Sequence, residues 1–504
     1  MLLLFTVILL LLVITLTYKF LESNKKSDRM PKGIQGPPGF PILGNILQMV
    51  KNPHLKLSKW AKKYGALYTI RLGFRNALVT SDAKSMKDLF GHPASTKKFQ
   101  MDTFLLLSKG RYGIFTAEGE AWAEQRQFFI RSLVDFGFGS GKTSLEPLIL
   151  DEAQYVIEWI EAESKNSSSV CLNEILRIAT SNVLWTLVNG KRNNLTDNNI
   201  SLLTQNVIDG VQQSIKNGFG FFPWIKYIAP ELSGYNSYYK ACNDLYAFIT
   251  ERFEEHKSQF TPDAPKDIID AYIQELLNKA NDPSSSFYGI EGERHSIASV
   301  LELFIASSET TPGVMLWLVL YVCHNQSVQR KLHDEIETVI GTCREPSLLD
   351  KPRMPFTDAV IQETFRISPL AAMGIVHELS ESIEFQGHTL PKGLLLLPNI
   401  YHVHHDEKTW GDPENFRPER FLNPEETEVN KSLTENLVPF QAGKRQCVGE
   451  TLARDVIFLF IVKLFQTYDV LPDPDNPEPN YEPDVGLGLI CKPFKVRMQR
   501  KSNN

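Results

Sequence analysis

Phe440-Gln441-Ala442-Gly443-Lys444-Arg445-Gln446-Cys447-Val448-Gly449 decides how the rest of the chain is read. The stretch is short and glycine-rich, carries a single cysteine, and runs straight into a periodic apolar segment. Leu452, Val456, Leu459 and Phe460 recur at three- and four-residue spacing, which predicts a helix from Glu450 to Phe465. Cys447 therefore precedes a helix N-terminus, where partial positive charge favours an anion and hence the thiolate. A thiolate binds a metal or attacks as a nucleophile. Gly443 and Gly449 permit left-handed angles and close approach to something flat or bulky. Arg445 adds a fixed positive charge. A buried structural cysteine in a turn is the plainer reading of the same residues.

The totals exclude several classes. Among 504 residues, 53 Lys and Arg face 59 Asp and Glu, a net charge of −6, so no basic excess points to nucleic acid. With 42 % hydrophobic and 22 % charged residues the composition is globular. Cys171, Cys242, Cys323, Cys343, Cys447 and Cys491 are scattered without a CxxC pair, which predicts reduced thiols in a cytosol-facing protein. His402, His404 and His405 lack the cysteine or carboxylate partners of a zinc site.

Met1 to Tyr18 is almost wholly apolar, at the lower limit of a membrane span. A cleaved signal peptide needs a basic residue before the apolar core and small residues after it. Neither is present, and Lys19, Lys25, Lys26 and Arg29 all follow. The positive-inside rule then keeps the body in the cytoplasm, with the sequons at Asn166, Asn194, Asn199, Asn325 and Asn430 unused. The expected organisation is an anchor over 1–20, a basic and proline-rich hinge over 21–46, and a catalytic domain over 47–504. Pro31, Pro37, Pro38 and Pro41, with Gly33, Gly36, Gly39 and Gly44, exclude a helix or central strand and predict a stiff, extended connector.

Along the body, helices are expected over 54–64, 81–89, 121–133, 148–163, 172–187, 267–279, 295–322, 325–340 and 356–367. Strands are expected over 66–72, 76–80, 383–385, 389–390, 394–397, 486–490 and 494–498. Residues 91–116 read as a long, mostly irregular connection of the kind that binds ligands. Trp122 and Arg126 lie four apart on one helix face and offer donors without acceptors, suited to a carboxylate. The segment from His295 to Val322 is the longest apolar helix of the body. Glu302, Ser307, Ser308, Glu309, Thr310 and Thr311 interrupt it, which argues for a buried central helix over a second span. A buried acid beside hydroxyls suits a proton relay.

The Cys447 stretch resembles the haem-binding loop of the cytochromes P-450, whose motif positions are present as Phe440, Gly443, Arg445, Cys447 and Gly449. Glu363-x-x-Arg366 and Phe416-Arg417-Pro418-Glu419-Arg420-Phe421 match two further motifs in family order. Ala306 to Thr311 resembles the oxygen-activation motif: Glu309 and Thr310 match, Ser307 replaces the usual glycine, and Pro312 is unusual. The resemblance covers essentially the whole chain. It is nearest to the animal steroid- and drug-metabolising clan of microsomal members, including insect hormone-related enzymes.

That resemblance implies a mainly α fold with small β-sheets (α+β) and a haem b cofactor. Cys447 becomes the axial iron ligand, whose electron donation favours O–O cleavage. Trp122, Arg126, His377 and Arg445 contact the propionates, while Phe440, Gly443 and Gly449 shape the loop. Glu309 and Thr310 steer protons during oxygen activation. Glu363, Arg366 and Arg420 form a buried structural network. The aromatic stretch from Phe219 to Ile228 lies between two helices that roof the substrate pocket, and Val485 to Leu489 touch substrate. The expected substrate is small and lipophilic: a hormone-like lipid, steroid or xenobiotic reaching the site from the membrane. No GxGxxG unit for a nicotinamide cofactor is present. Electrons are therefore expected from NADPH through NADPH-cytochrome P-450 reductase, with cytochrome b5 as a further candidate partner, at the endoplasmic reticulum membrane. A haem-thiolate isomerase or dehydratase acting on a lipid peroxide is the alternative, against which Glu309 and Thr310 argue. A haem sensor or carrier is the other, against which the long central helix argues.

Truncation to begin at Gly33 should move the protein toward the soluble fraction while leaving its haem spectrum intact. N-glycans at Asn166 or Asn194 on the cellular protein would instead place the body in the lumen.

Overall fold

The computed structural model describes residues 30–137, 145–192, 199–216, 224–262, 264–486 and 488–501. The expected anchor, the start of the hinge, Asn194, Phe219 to Pro223 and Leu487 lie outside the described residues. The chain divides into two compact units. The first takes the described residues up to Phe99 with Ala371–Pro413 and Glu435–Cys447; the second takes Gln100–Leu370, Glu414–Thr434 and the residues from Val448 on.

The first unit is built on a sheet. Strands β1 (Leu67–Leu72), β2 (Arg75–Thr80), β3 (Lys97–Lys98), β4 (His377–Glu378) and β7 (Leu395–Pro398) run in the order β1-β2-β7-β4-β3. Strands β5 (Ile383–Phe385) and β6 (His388–Leu390) form a separate hairpin. β2 and β7 pair in parallel, with Ala77 opposite Leu395. Every residue of β7 is buried, which is why the sequence there reads as an unbroken leucine run without alternation. Two-residue turns close both hairpins: Gly73 at φ 60° leads from β1 to β2, and Gln386 at 49° with Gly387 at 77° joins β5 to β6.

The described part of the proline-rich stretch, expected as a stiff, extended connector, is hydrogen-bonded along the sheet. Thr69 N–H donates to the Gln35 carbonyl at 3.0 Å, and Asn45 exchanges bonds with Arg71 at 2.6 and 2.7 Å. A Cβ at Gly36 would sit 1.8 Å from the Thr69 carbonyl oxygen. Residues 35–45 therefore lie against β1. Prolines keep the segment extended, and the glycines let two backbones meet.

The second unit is helical. Its core gathers around the helix Gly289–His324, 36 residues long and buried along most of its length. Among the described residues it is the helix apolar enough to cross a membrane, but 61 % of its apolar window is covered by protein. Phe304, Val300 and Leu301 pack with Trp185, Leu245, Phe253 and Tyr272 from neighbouring helices. Tyr468–Pro472 pairs antiparallel with Val496–Arg500. The connection expected to be irregular contains a helix over Asp102–Leu107, too short for periodicity to reveal.

Glu363 and Arg366, on the helix Pro355–Ile367, are fully buried. Arg366 grips Glu363 with Nε at 2.7 Å and Nη2 at 2.9 Å. Arg420 adds its Nε at 3.1 Å, and the Arg417 backbone N–H donates to the same carboxylate at 2.8 Å. Both guanidiniums also donate to the Asn415 carbonyl, at 3.3 and 3.1 Å. The expected three-member network is present, and it pins residues 415–420 to the helix.

Removing one member leaves a buried charge uncompensated, at a cost of roughly 3–5 kcal/mol. Glu363→Ala and Arg366→Ala should therefore fail to accumulate folded, haem-bearing protein. A variant that folds, keeps wild-type haem content and loses only turnover would show that the network serves chemistry instead.

Candidate active site

In the first unit, the Cys447 loop is a closed turn. Cys447 N–H donates to the Phe440 carbonyl at 3.1 Å and Gln446 N–H to the Gly443 carbonyl at 3.0 Å. Gly443 has φ 82°, and a Cβ there would lie 2.0 Å from the Phe90 carbonyl oxygen. Glycine is required for both reasons. Arg445 is buried, and its Nε donates to the Thr96 carbonyl at 2.8 Å. His377, 1 % exposed, bonds through Nδ1 to the adjacent Ser95 carbonyl at 2.7 Å. Two successive carbonyls thus anchor both expected propionate contacts of this unit. Burial, with the nearby Lys98 and Arg445 charges, lowers the His377 pKa to about 3, so the ring is neutral. Cys447 itself is exposed at the end of the loop. Burial pushes Cys242 up to about 11 and Cys323 and Cys491 up to about 12, which leaves those three inert.

In the second unit, Trp122 and Arg126 share a face of the helix Gly119–Asp135, the indole buried and the guanidinium half-buried. Gly449 caps the helix Glu450–Thr467. Glu309 and Thr310 lie midway along the central helix. Glu309 is half-buried, and desolvation raises its pKa, opposed by Arg177 and reinforced by Asp209. An acid kept protonated nearer neutral pH is suited to giving up a proton. Ala306 and Thr310, one turn apart, are exposed although the helix around them is buried. The Thr310 hydroxyl donates to the Ala306 carbonyl at 2.7 Å, so its lone pairs are what it presents outward. Ser307 donates to Phe304 O at 3.3 Å, which ties its extra hydroxyl to the helix.

The donor set fits a thiolate-ligated haem. In the first unit an exposed cysteine ends a rigid turn and a buried cation precedes it. The histidines at 402, 404 and 405 are occupied locally, by Ser58 Oγ at 2.9 Å, Val438 N–H at 2.9 Å and Tyr401 O at 2.9 Å.

The family model described as Cytochrome P-450 matches residues 34–498. The chain belongs to the cytochrome P-450 family. It is 33 % identical to the farnesoate epoxidase of Bombyx mori over 482 residues, covering 93 % of this chain and 94 % of that one. It is 30 % identical to human cytochrome P-450 2U1 over 503 residues, 94 % and 90 % of the two chains. Drosophila melanogaster cytochrome P-450 18a1 is 28 % identical over 505 residues, 98 % and 91 % of the two. Members of this P-450 family are haem-thiolate monooxygenases, and haem b is the cofactor.

One site residue escaped the sequence reading. Glu302 entered it only as an interruption of an apolar run. In the P-450 structure its buried carboxylate accepts from Ile114 N–H at 2.7 Å, Phe115 N–H at 2.8 Å, Thr116 N–H at 3.2 Å and Ser108 Oγ at 2.7 Å. The connection expected to bind ligands is thus tethered to the central helix two turns before Thr310. Gly113 has φ 81°, and a Cβ there would be 2.2 Å from Glu302 Oε2. A lone acid in an apolar helix was the available signal, since a buried carboxylate must find donors.

Glu302→Gln replaces an acceptor-only group by a half-donor that clashes with the N–H cluster. The loss of charge-assisted bonds should cost roughly 1.5–3 kcal/mol. Limited trypsin treatment should then cut after Arg111, where wild type resists. Equal cleavage rates and equal melting temperatures would show that the tether carries no weight.

Proposed function

We propose that this protein is a membrane-anchored microsomal monooxygenase. It inserts one atom of O2 into a small lipophilic substrate, using electrons from NADPH delivered by a separate reductase. The supporting observation is the exposure of Ala306 and Thr310, one turn apart on a buried helix, beside an acid whose proton affinity burial has raised. An isomerase acting on a peroxide needs no such proton supply. The relative named farnesoate epoxidase makes farnesoate the first substrate to offer. An epoxidation there would add one oxygen atom across a carbon–carbon double bond, the second leaving as water.

When bound, haem supplies the O–O cleavage that no side chain can perform. The chain's own residues do the rest. Cys447 would be the iron ligand, carried at the end of a closed backbone turn. Trp122, Arg126 and Arg445 are donors without acceptor capacity, matched to the propionate carboxylates. Thr310 holds a proton donor, a water or the substrate oxygen's partner, on its outward lone pairs. Glu309 replenishes the proton. The charge of Arg177 moderates its affinity, so the proton can leave as well as arrive.

Cys447→Ser should abolish the red-shifted, thiolate-type Soret band of the reduced carbon monoxide complex. Thr310→Ala should keep consuming NADPH while product per NADPH falls at least about ten-fold and hydrogen peroxide rises. Ser307→Gly serves as the control, because its hydroxyl is bound to the helix. Equal product-to-NADPH ratios in wild type and Thr310→Ala would remove Thr310 from the mechanism. Turnover of lipid peroxides without NADPH would transfer the protein to the isomerase class.

A further inference from the structure

Gln441 directly follows Phe440 and adopts φ 63°, a left-handed conformation that non-glycine residues rarely take. Its side chain reaches across to residues 375–377, all within the first unit. Its Oε1 accepts from Ile375 N–H at 2.9 Å. Its Nε2 lies 3.3 Å from the Ile375 carbonyl and 3.2 Å from His377 Nε2. The Ile375 N–H can only donate, so the amide oxygen must face it and the NH2 must face His377. His377 Nε2 must then accept. The ring proton stands on Nδ1, where it meets the Ser95 carbonyl at 2.7 Å. Every polar atom of both side chains is satisfied by this single arrangement. The fit is also close: a Cβ at Gly374 would lie 3.1 Å from Gln441 Oε1 and 2.4 Å from Pro398 Cγ.

We propose that Gln441 is a positioning residue for the haem-thiolate loop. It ties the loop to residues 375–377 and holds His377 as the Nδ1–H tautomer, so that His377 supports the loop as a neutral acceptor and does not donate to a propionate. The inference rests on the reading of the 440–449 loop as the haem loop. It assigns a role to the left-handed backbone at Gln441: the conformation aims the amide at the neighbouring strand segment, and the amide's three bonds hold the conformation. It also changes what the family resemblance implies for His377, from a direct haem contact to a residue acting through Gln441.

The test uses full-length holoenzyme and follows transfer of ferric haem to apomyoglobin. A thiolate-type carbon monoxide band in wild type first establishes the loop reading; its absence would fail that reading and, with it, this inference. Gln441→Met keeps the side chain's length and removes its hydrogen bonds, so transfer should accelerate roughly ten-fold, the worth of a net hydrogen bond or two. His377→Phe should act similarly. The double variant should lie within about two-fold of the worse single, because both changes break one unit. Additive effects, roughly a hundred-fold, would mean that His377 holds haem independently and would overturn the proposal. So would wild-type transfer rates in Gln441→Met.

Gln441→Glu supplies a second readout, one that survives if the other variants yield no holoenzyme. A carboxylate cannot donate to His377 Nε2, so the ring must take up a proton to bond it, against the charges of Lys98 and Arg445. Haem retention in Gln441→Glu should therefore recover as pH is lowered, the new carboxylate opposing the burial and the two cations that hold the ring neutral. Wild type should show no such recovery. A flat profile in Gln441→Glu would overturn the proposal.

Discussion

A carboxylate sealed away from water has to be met by donors, and this requirement organises the helical unit. Glu363 is fully buried and collects two guanidiniums and a backbone N–H. Glu302 collects three backbone N–H groups and a serine hydroxyl. Half-buried Glu335 plays a similar part at the start of the helix Pro355–Ile367, accepting from Phe356 N–H at 2.8 Å and Thr357 N–H at 2.7 Å. Each converts the penalty for burying charge into a fixed relation between segments distant in sequence. Apolar packing alone would hold those segments together without dictating how they register.

In the sheet unit, the equivalent constraint is backbone meeting backbone. Gly443 against Phe90, and Gly36 against Thr69, are approaches that any side chain would block. The Cys447 loop gains its rigidity there, then from Arg445 and His377 on the Thr96 and Ser95 carbonyls. A metal ligand held this way loses little freedom when it binds, which is the physical content of preorganisation.

The chemistry of a P-450 follows from what these scaffolds leave exposed. Most of the central helix is buried, and Ala306 and Thr310 are not. Pro312 lies two residues beyond Thr310, within the continuous helix, and removes the N–H that would have met the Ser308 carbonyl. The serine hydroxyls nearby turn back onto helix carbonyls: Ser307 to Phe304 at 3.3 Å and Ser308 to Ile305 at 3.3 Å. Ser307, which departs from the usual glycine, is thereby accommodated inside the helix's own hydrogen bonding.

Although it did not reveal the helices Asn199–Lys216 and Tyr235–Gln259, the sequence by itself determined the family, most of the helices, the Cys447 loop and the Glu363–Arg366–Arg420 set. Those depend on local spacing and on residue types with few alternative uses, so they can be read along the chain. Only the tertiary structure decided which donors meet Glu302, where the proline-rich stretch lies, and how the ring of His377 is protonated. Glu302 is seven residues from Glu309 in sequence, yet its partners lie near 108–116. Gln441 looked like a filler between motif positions until Ile375 and His377 came to face it. Spacing records what neighbours along the chain can do. A hydrogen-bond partner more than 60 residues away is chosen by folding, because donors and acceptors are interchangeable in sequence and become specific only when geometry brings two of them within about 3 Å.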